Sequence, residues 1–259
     1  MTTPAELFDL SGKVALVTGG ATGLGRQMSE ALGEMGADLT ICARKAERCE
    51  QAAEELRALG VRTLGLGCDV RDQEQVQAVV ARAVAEFGRL DILVNNAGTT
   101  WGAPAEETPL DGWQKVIDVN LTGVFLCSQA VGRVLIRQGE GGKIVNIASV
   151  AAFGGAPPEV MNSIPYNASK GGVVSFTRDL AVKWARHGIF VNAIAPGWFP
   201  SDMANFVLDR HGEALYDRIP LRRFGGPDDL KGAVVFLASA ASDYVTGQTI
   251  IVDGGQSAW

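Results

Sequence analysis

The chain is poor in the residues that build metal centres and disulfide frameworks. It has two histidines, His187 and His211, and four cysteines, Cys42, Cys49, Cys68 and Cys127, with no Cys-x-x-Cys pair and no clustering of cysteine with histidine. A structural zinc site or disulfide scaffold is therefore not expected, and no residue is assigned to a metal. Acidic and basic residues are interspersed and the formal charge is −6, so no basic stripe offers itself to nucleic acid or to an anionic membrane. The stretch from Met1 to Leu10 lacks a basic segment followed by an apolar one, and no uncharged apolar run approaches membrane-spanning length. Linkers, internal repeats and low-complexity tracts are missing too. These absences predict a cytoplasmic protein with a small-molecule partner. A chain of 259 residues, 47% of them hydrophobic, can bury one large core, which predicts one domain over residues 1–259.

What is present is an alternation of short β-branched runs with longer amphipathic stretches, the pattern of an α/β protein whose parallel strands are covered by helices on both faces. The first strand, residues 13–18, runs into Gly19-Gly-Ala-Thr22-Gly23-Leu24-Gly25 and then a helix to about Gly36. Glycines there let the backbone approach a pyrophosphate, whose charge is stabilised by free N–H groups at the helix start. The spacing is Gly-x-x-x-Gly-x-Gly, not the general Gly-x-Gly-x-x-Gly, although the strand before and the helix after are in place. A second strand, residues 38–43, ends in Ala43, Arg44 and Lys45 without the carboxylate that an NAD ribose requires, which favours the 2′-phosphate of NADP. Further strands are expected at 61–67, 90–94, 143–149, 189–195 and 249–252, and helices at about 46–59, 72–88, 110–138 and 168–186, with another opened by Pro227. Asp69 is expected either to accept a hydrogen bond from an adenine amino group or to hold the turn before the helix at 72. Asn120 and Gly123 are poor interior residues for the helix at 110–138 and predict a kink there. Residues 201–221 read as a mobile lid.

Tyr166-Asn-Ala-Ser-Lys170 places a phenol and an ammonium one helical turn apart. A cation at that distance is expected to favour the phenolate and lower the tyrosine pKa toward a working general acid or base. Ser149, at the carboxyl end of its strand, is positioned to hydrogen-bond a substrate oxygen.

Thr18-Gly19-x-x-x-Gly23-x-Gly25, Asn95-Asn96-Ala97-Gly98, Asn120, Ser149, Tyr166-x-x-x-Lys170, Pro196-Gly197 and Val252-Asp-Gly-Gly255 occur in the order seen in short-chain dehydrogenases/reductases, which the chain resembles over essentially its whole length. The resemblance implies a seven-stranded Rossmann-type sheet and a tetrad. In it Tyr166 is the acid/base, Ser149 positions the carbonyl, Lys170 lowers the tyrosine pKa and holds the nicotinamide ribose, and Asn120 anchors a relay water. It carries Leu24, Val70 and Ser201 into the cofactor site beside the residues already named, Ser201 standing where the family usually has a threonine. Ala43 followed by Arg44 looks like NADP-preferring members, whereas Thr22 stands where some of those have a basic residue, which leaves NAD(H) as an alternative cofactor. A homotetramer is also implied.

The segments around Trp101, Trp198 and Phe199 resemble both 3-oxoacyl reductases of the rhamnolipid-biosynthesis type and gluconate 5-dehydrogenase-like members. With Phe153, these rings are expected to rim a substrate pocket, which suits an acyl chain, a stacked sugar or a packed lid. The leading expectation is NADP(H)-dependent reduction of a 3-oxoacyl thioester, with docking of an acyl carrier protein made doubtful by His187 before Gly188. A sugar-acid or polyol dehydrogenase is the alternative. A catalytically silent nucleotide-sensing protein is the competing class, and the presence of both Tyr166 and Lys170 argues against it.

Overall fold

A computed structural model describes residues 2–258; Met1 and Trp259, the two ends of the predicted domain, lie outside the described residues. After a short helix α1 (Pro4–Phe8), the chain alternates β1 (Val14–Thr18), α2 (Gly23–Glu34), β2 (Asp38–Ala43), α3 (Ala46–Ala58), β3 (Thr63–Gly67), α4 (Gln73–Phe87) and β4 (Ile92–Asn95). It continues through α5 (Leu110–Ile117), α6 (Gly123–Gln138), β5 (Gly142–Ile147), α7 (Ile164–Trp184), β6 (Ile189–Pro196), α8 (Asn205–Tyr216), α9 (Lys231–Ala238) and β7 (Thr249–Val252). The strands form one all-parallel seven-stranded sheet in the order β3-β2-β1-β4-β5-β6-β7. This is the expected Rossmann-type architecture. The order reverses between β1 and β4, and a crevice opens outside their carboxyl ends.

Strands buried on both faces read as near-continuous apolar runs, and β1 is buried at all five positions. One core cluster joins Met28, Leu32, Leu39, Ile41, Val94 and Ile194 on one face of the sheet. A second joins Leu16, Val80, Leu93, Val131, Ile144 and Val191 on the other.

One expected feature and three differences from the sequence reading stand out. The 110–138 region is helical throughout, but a π turn over Asp118–Thr122 separates α5 from α6. The kink expected at Asn120 and Gly123 is that turn, and Gly123 is required because a Cβ there would lie 2.8 Å from Val70 Cγ2. Ser149 falls beyond β5, where its extended backbone starts a 3-10 turn at Val150–Ala152. Helix α7 begins at Ile164, four residues before the expected start, because Pro165 fits its first turn. Pro227 leads only into a turn, and α9 starts at Lys231. Among the described residues, the helical run Leu110–Gln138 alone is long and apolar enough to cross a membrane. Half of its most apolar window is buried inside the fold, in keeping with a core helix packed on the sheet.

Candidate active site

The turn after β1 is held open by its neighbour across the switch point. Asn96 donates from Nδ2 to Thr18 O at 3.0 Å and to Gly19 O at 3.1 Å, while Thr18 Oγ1 accepts from Asn96 N and Ala97 N, each at 3.0 Å. A Cβ on Gly25 would stand 2.1 Å from Gly19 O and 2.4 Å from Asn96 Nδ2, so only glycine lets α2 begin this close to the turn. Gly19 and Gly23 have φ of +66° and +52°, the left-handed region that glycine enters freely. Thr22 sits at the N-cap of α2, yet its side chain makes no capping hydrogen bond, so the first N–H groups stay free for an anion. The cradle therefore fits a pyrophosphate.

Past β2, Arg44 is exposed and makes no hydrogen bond or ion pair with any described residue, feeling only the charge of Asp69 at longer range, so a phosphate at the cleft edge would meet a guanidinium with its N–H groups available. Arg44 borders the cleft; Lys45, Asp69 and Val70, also expected at the cofactor, do not. Lys45 occupies the N-cap position of α3. Asp69 is bound by Arg71, with Nη2 donating to Oδ2 at 2.6 Å, and it also accepts from Arg71 N at 3.1 Å, so it holds the turn before α4. That pairing holds its carboxyl below the ordinary carboxylate range. Val70 is 6% exposed and packs into the core under Gly123.

Most of the remaining predicted groups converge on a cleft of about 1710 Å³ bordered by Gly98, Ser149, Tyr166, Lys170, Pro196 and Ser201. Tyr166 and Lys170 share one face of α7, and the ammonium lies 5.6 Å from the phenol ring centroid. Lys170 is 5% exposed and donates to Ile147 O at 2.7 Å, at the end of β5; no second acceptor meets it among the described residues, which leaves donors for a ligand. Burial pushes its pKa down to about 8. Tyr166 moves the other way from the expectation. Burial raises its pKa and the Ser149 hydroxyl only partly offsets this, so the phenol is kept protonated. Helical spacing placed the cation correctly, but removal of the phenolate from water outweighs it. Ser149 is 8% exposed, and its Oγ accepts from Ala151 N at 3.2 Å.

Asn120 lies behind this group and does not border the cleft. The π turn aims its amide at the segment after β4, where Oδ1 accepts from Thr99 N at 2.8 Å and Nδ2 donates to Thr99 O at 2.9 Å and Ser169 Oγ at 3.0 Å. Both amide protons are thus engaged. Of the four predicted rings, Trp198 and Phe153 border the cleft as expected. Phe199 touches it too, but is 4% exposed and packs over Gly225, where a Cβ would stand 2.1 Å away. Trp101 turns away, covering Gly112 and lying 5.2 Å from Lys115 Nζ. The sequence reading missed Ser163, whose buried Oγ has no partner, Arg210 and His211 of α8, and Arg218 in the turn after it, all on the cleft wall.

A family model described as enoyl-(acyl carrier protein) reductase matches residues 19–257. The fold superimposes with a TM-score of 0.93 on a short-chain type dehydrogenase/reductase from Mycobacterium marinum, 38% identical, over 97% of this chain and 98% of that one. The chain belongs to the short-chain dehydrogenase/reductase family. Such dehydrogenases/reductases are oxidoreductases acting between CH–OH and C=O groups. Within the family, the chain is 47% identical to the 2-dehydro-3-deoxy-D-gluconate 5-dehydrogenase of Dickeya dadantii over 251 residues, 96% of each chain. A gluconate 5-dehydrogenase from Burkholderia cenocepacia, solved with NADP and tartrate, is 39% identical with a TM-score of 0.94 over 99% of this chain and all of that one. The 3-oxoacyl-[acyl-carrier-protein] reductase of Staphylococcus aureus is 40% identical over 94% of this chain and 97% of its own.

Proposed function

We propose that the protein interconverts a ketone and a secondary alcohol on a sugar acid, using NADP(H). The observation that carries the reaction is the meeting of Ser149 and a protonated Tyr166 on one cleft wall, with the Lys170 ammonium beneath them. Bound in the Gly19–Gly25 cradle with its 2′-phosphate at Arg44, NADP(H) supplies or accepts a hydride. In the reducing direction Ser149 Oγ orients the carbonyl oxygen, and Tyr166 donates its proton as charge develops there. A phenol kept protonated by burial is ready for that step. Lys170 offers its free donors to the ribose and stabilises the phenolate that donation leaves. Asn120 ties the segment after β4 to α7 by bonding Thr99 and Ser169; a relay water would be held by its main chain, since its amide protons are occupied.

The sugar-acid class replaces the 3-oxoacyl thioester as the leading substrate. Its support is the higher identity to a sugar-acid dehydrogenase and the orphaned Ser163 hydroxyl on the cleft wall, which suits a hydroxylated substrate. The thioester reading keeps the support of the Staphylococcus reductase and of the exposed Met203 and Phe206 at the cleft. We also propose self-association through the unpaired edge of β7, where Ile251 is 41% exposed, consistent with a homotetramer. Initial rates of NADPH oxidation with 5-keto-D-gluconate, 2-dehydro-3-deoxy-D-gluconate oxidised at C5, and a short 3-oxoacyl thioester test the substrate reading. Turnover of a sugar acid with a kcat/KM at least tenfold above the thioester is expected; the reverse order overturns the assignment.

A further inference from the structure

Resting on the sugar-acid reading, we infer that the lid carries the substrate's carboxylate site, with Arg210 as its anchor and His211 and Arg218 beside it. The protein as a whole is acidic, with a formal charge of −6. The cleft has the opposite sign: Arg44, Lys170, Arg210 and Arg218 line it against Glu159 and Asp202. Arg44 and Lys170 belong to the cofactor half. Arg210 remains for another anion, and the only anionic group common to sugar acids is the carboxylate.

The arginines of the lid and of the turn just after it are engaged unequally. Arg222 pairs with Asp217, and Arg223 with Asp229, to which its Nη2 donates at 2.9 Å. Arg210 has no carboxylate among the described residues, although Asp209 precedes it and Glu213 follows one turn later on the same helix. Its guanidinium instead lies over the Phe206 ring, 4.0 Å from the centroid. Stacking uses the face of the guanidinium and leaves its N–H edge free, and that edge matches a carboxylate as a two-pronged donor. Phe206 is 64% exposed, so the stack also gives this ring a task that core packing does not. Helix α8 reaches the cofactor side through Ser201, whose N donates to Asn205 Oδ1 at 3.0 Å and whose Cβ lies 3.8 Å from where a Cβ on Gly23 would stand. A carboxylate gripped by Arg210 would hold the lid over both cofactor and substrate.

The test compares 5-keto-D-gluconate with L-sorbose, which has the same carbon skeleton with a hydroxymethyl in place of the carboxylate. Each serves as substrate or competitive inhibitor of the NADPH-bound enzyme. Wild-type enzyme is expected to prefer the keto acid strongly. Arg210→Ala should shrink that preference about tenfold or more, chiefly through KM for the keto acid, because a charge-assisted hydrogen bond is lost. Arg210→Lys should recover part of it, and NADPH affinity reports that each variant is folded. Proportional losses on both ketones, or an undiminished preference, overturn the inference while leaving the sugar-acid reading in place. A wild-type enzyme that shows no preference for the keto acid overturns both.

Discussion

Replacement of Lys170 by methionine turns the burial of its ammonium into a measurable pH dependence of stability. In the cofactor-free protein the folded pKa is about 8 against an ordinary value of 10.5. The unfolded chain therefore binds the proton more tightly, and the charged lysine opposes folding by about 3 kcal/mol at neutral pH. That cost is fully present below pH 8 and fades as pH rises toward 10.5, so wild-type stability climbs relative to Lys170→Met. Integrating the linkage from about pH 7 to about pH 9.5 gives a relative gain of about 2 kcal/mol. Loss of the hydrogen bond to Ile147 O in the variant costs about 1–3 kcal/mol but does not depend on pH, so it drops out of the difference. Tyr166 has a raised pKa, which keeps its own titration above this window. Urea unfolding of both proteins at several pH values measures the gap. A gap that is flat with pH would refute the claim that the Lys170 charge is held out of water.

Arg44→Asp should weaken NADPH binding by about 100-fold while changing NADH far less, because one charge-assisted contact becomes a repulsion; fluorescence titration with both cofactors reads this, and equal effects would sink the NADP assignment. Gly25→Ala drives a Cβ against Gly19 O and Asn96 Nδ2, at 2.1 and 2.4 Å, and should cost about 3 kcal/mol through backbone displacement. Thermal melts and NADPH titration should show both stability and cofactor affinity falling, and a variant with an unshifted Tm and Kd would refute the close approach at this turn.

The architecture and the chemical centre were legible because both rest on local or strongly periodic signals. The apolar runs of β1, β2, β5 and β6 declare strands buried on two faces, and Tyr166 with Lys170 declares a shared helical face through its four-residue spacing alone. Misread features depend on partners distant in sequence. Val70 faces the core because Gly123 makes room for it, and Trp101 leaves the pocket for Gly112. Nothing near those residues in the chain announces these glycines. Likewise, the tyrosine pKa was misjudged in direction because spacing reports a neighbouring charge but not the water excluded around it. The polar residues of the lid could have been found: residues 201–221 already read as a lid, and Arg210, His211 and Arg218 stand within it.

Hydride exchange at a sugar-acid carbonyl with Tyr166 as proton donor underlies the proposed function. It is tested most directly by the product formed from 5-keto-D-gluconate with NADPH deuterated at both C4 positions, analysed by mass spectrometry for wild type and Tyr166→Phe. One deuterium is expected on the new carbinol carbon, formed roughly 1,000-fold more slowly by the variant while NADPH affinity is retained. Consumption of NADPH without deuterium in the product, or a Tyr166→Phe rate within a few-fold of wild type, would contradict it.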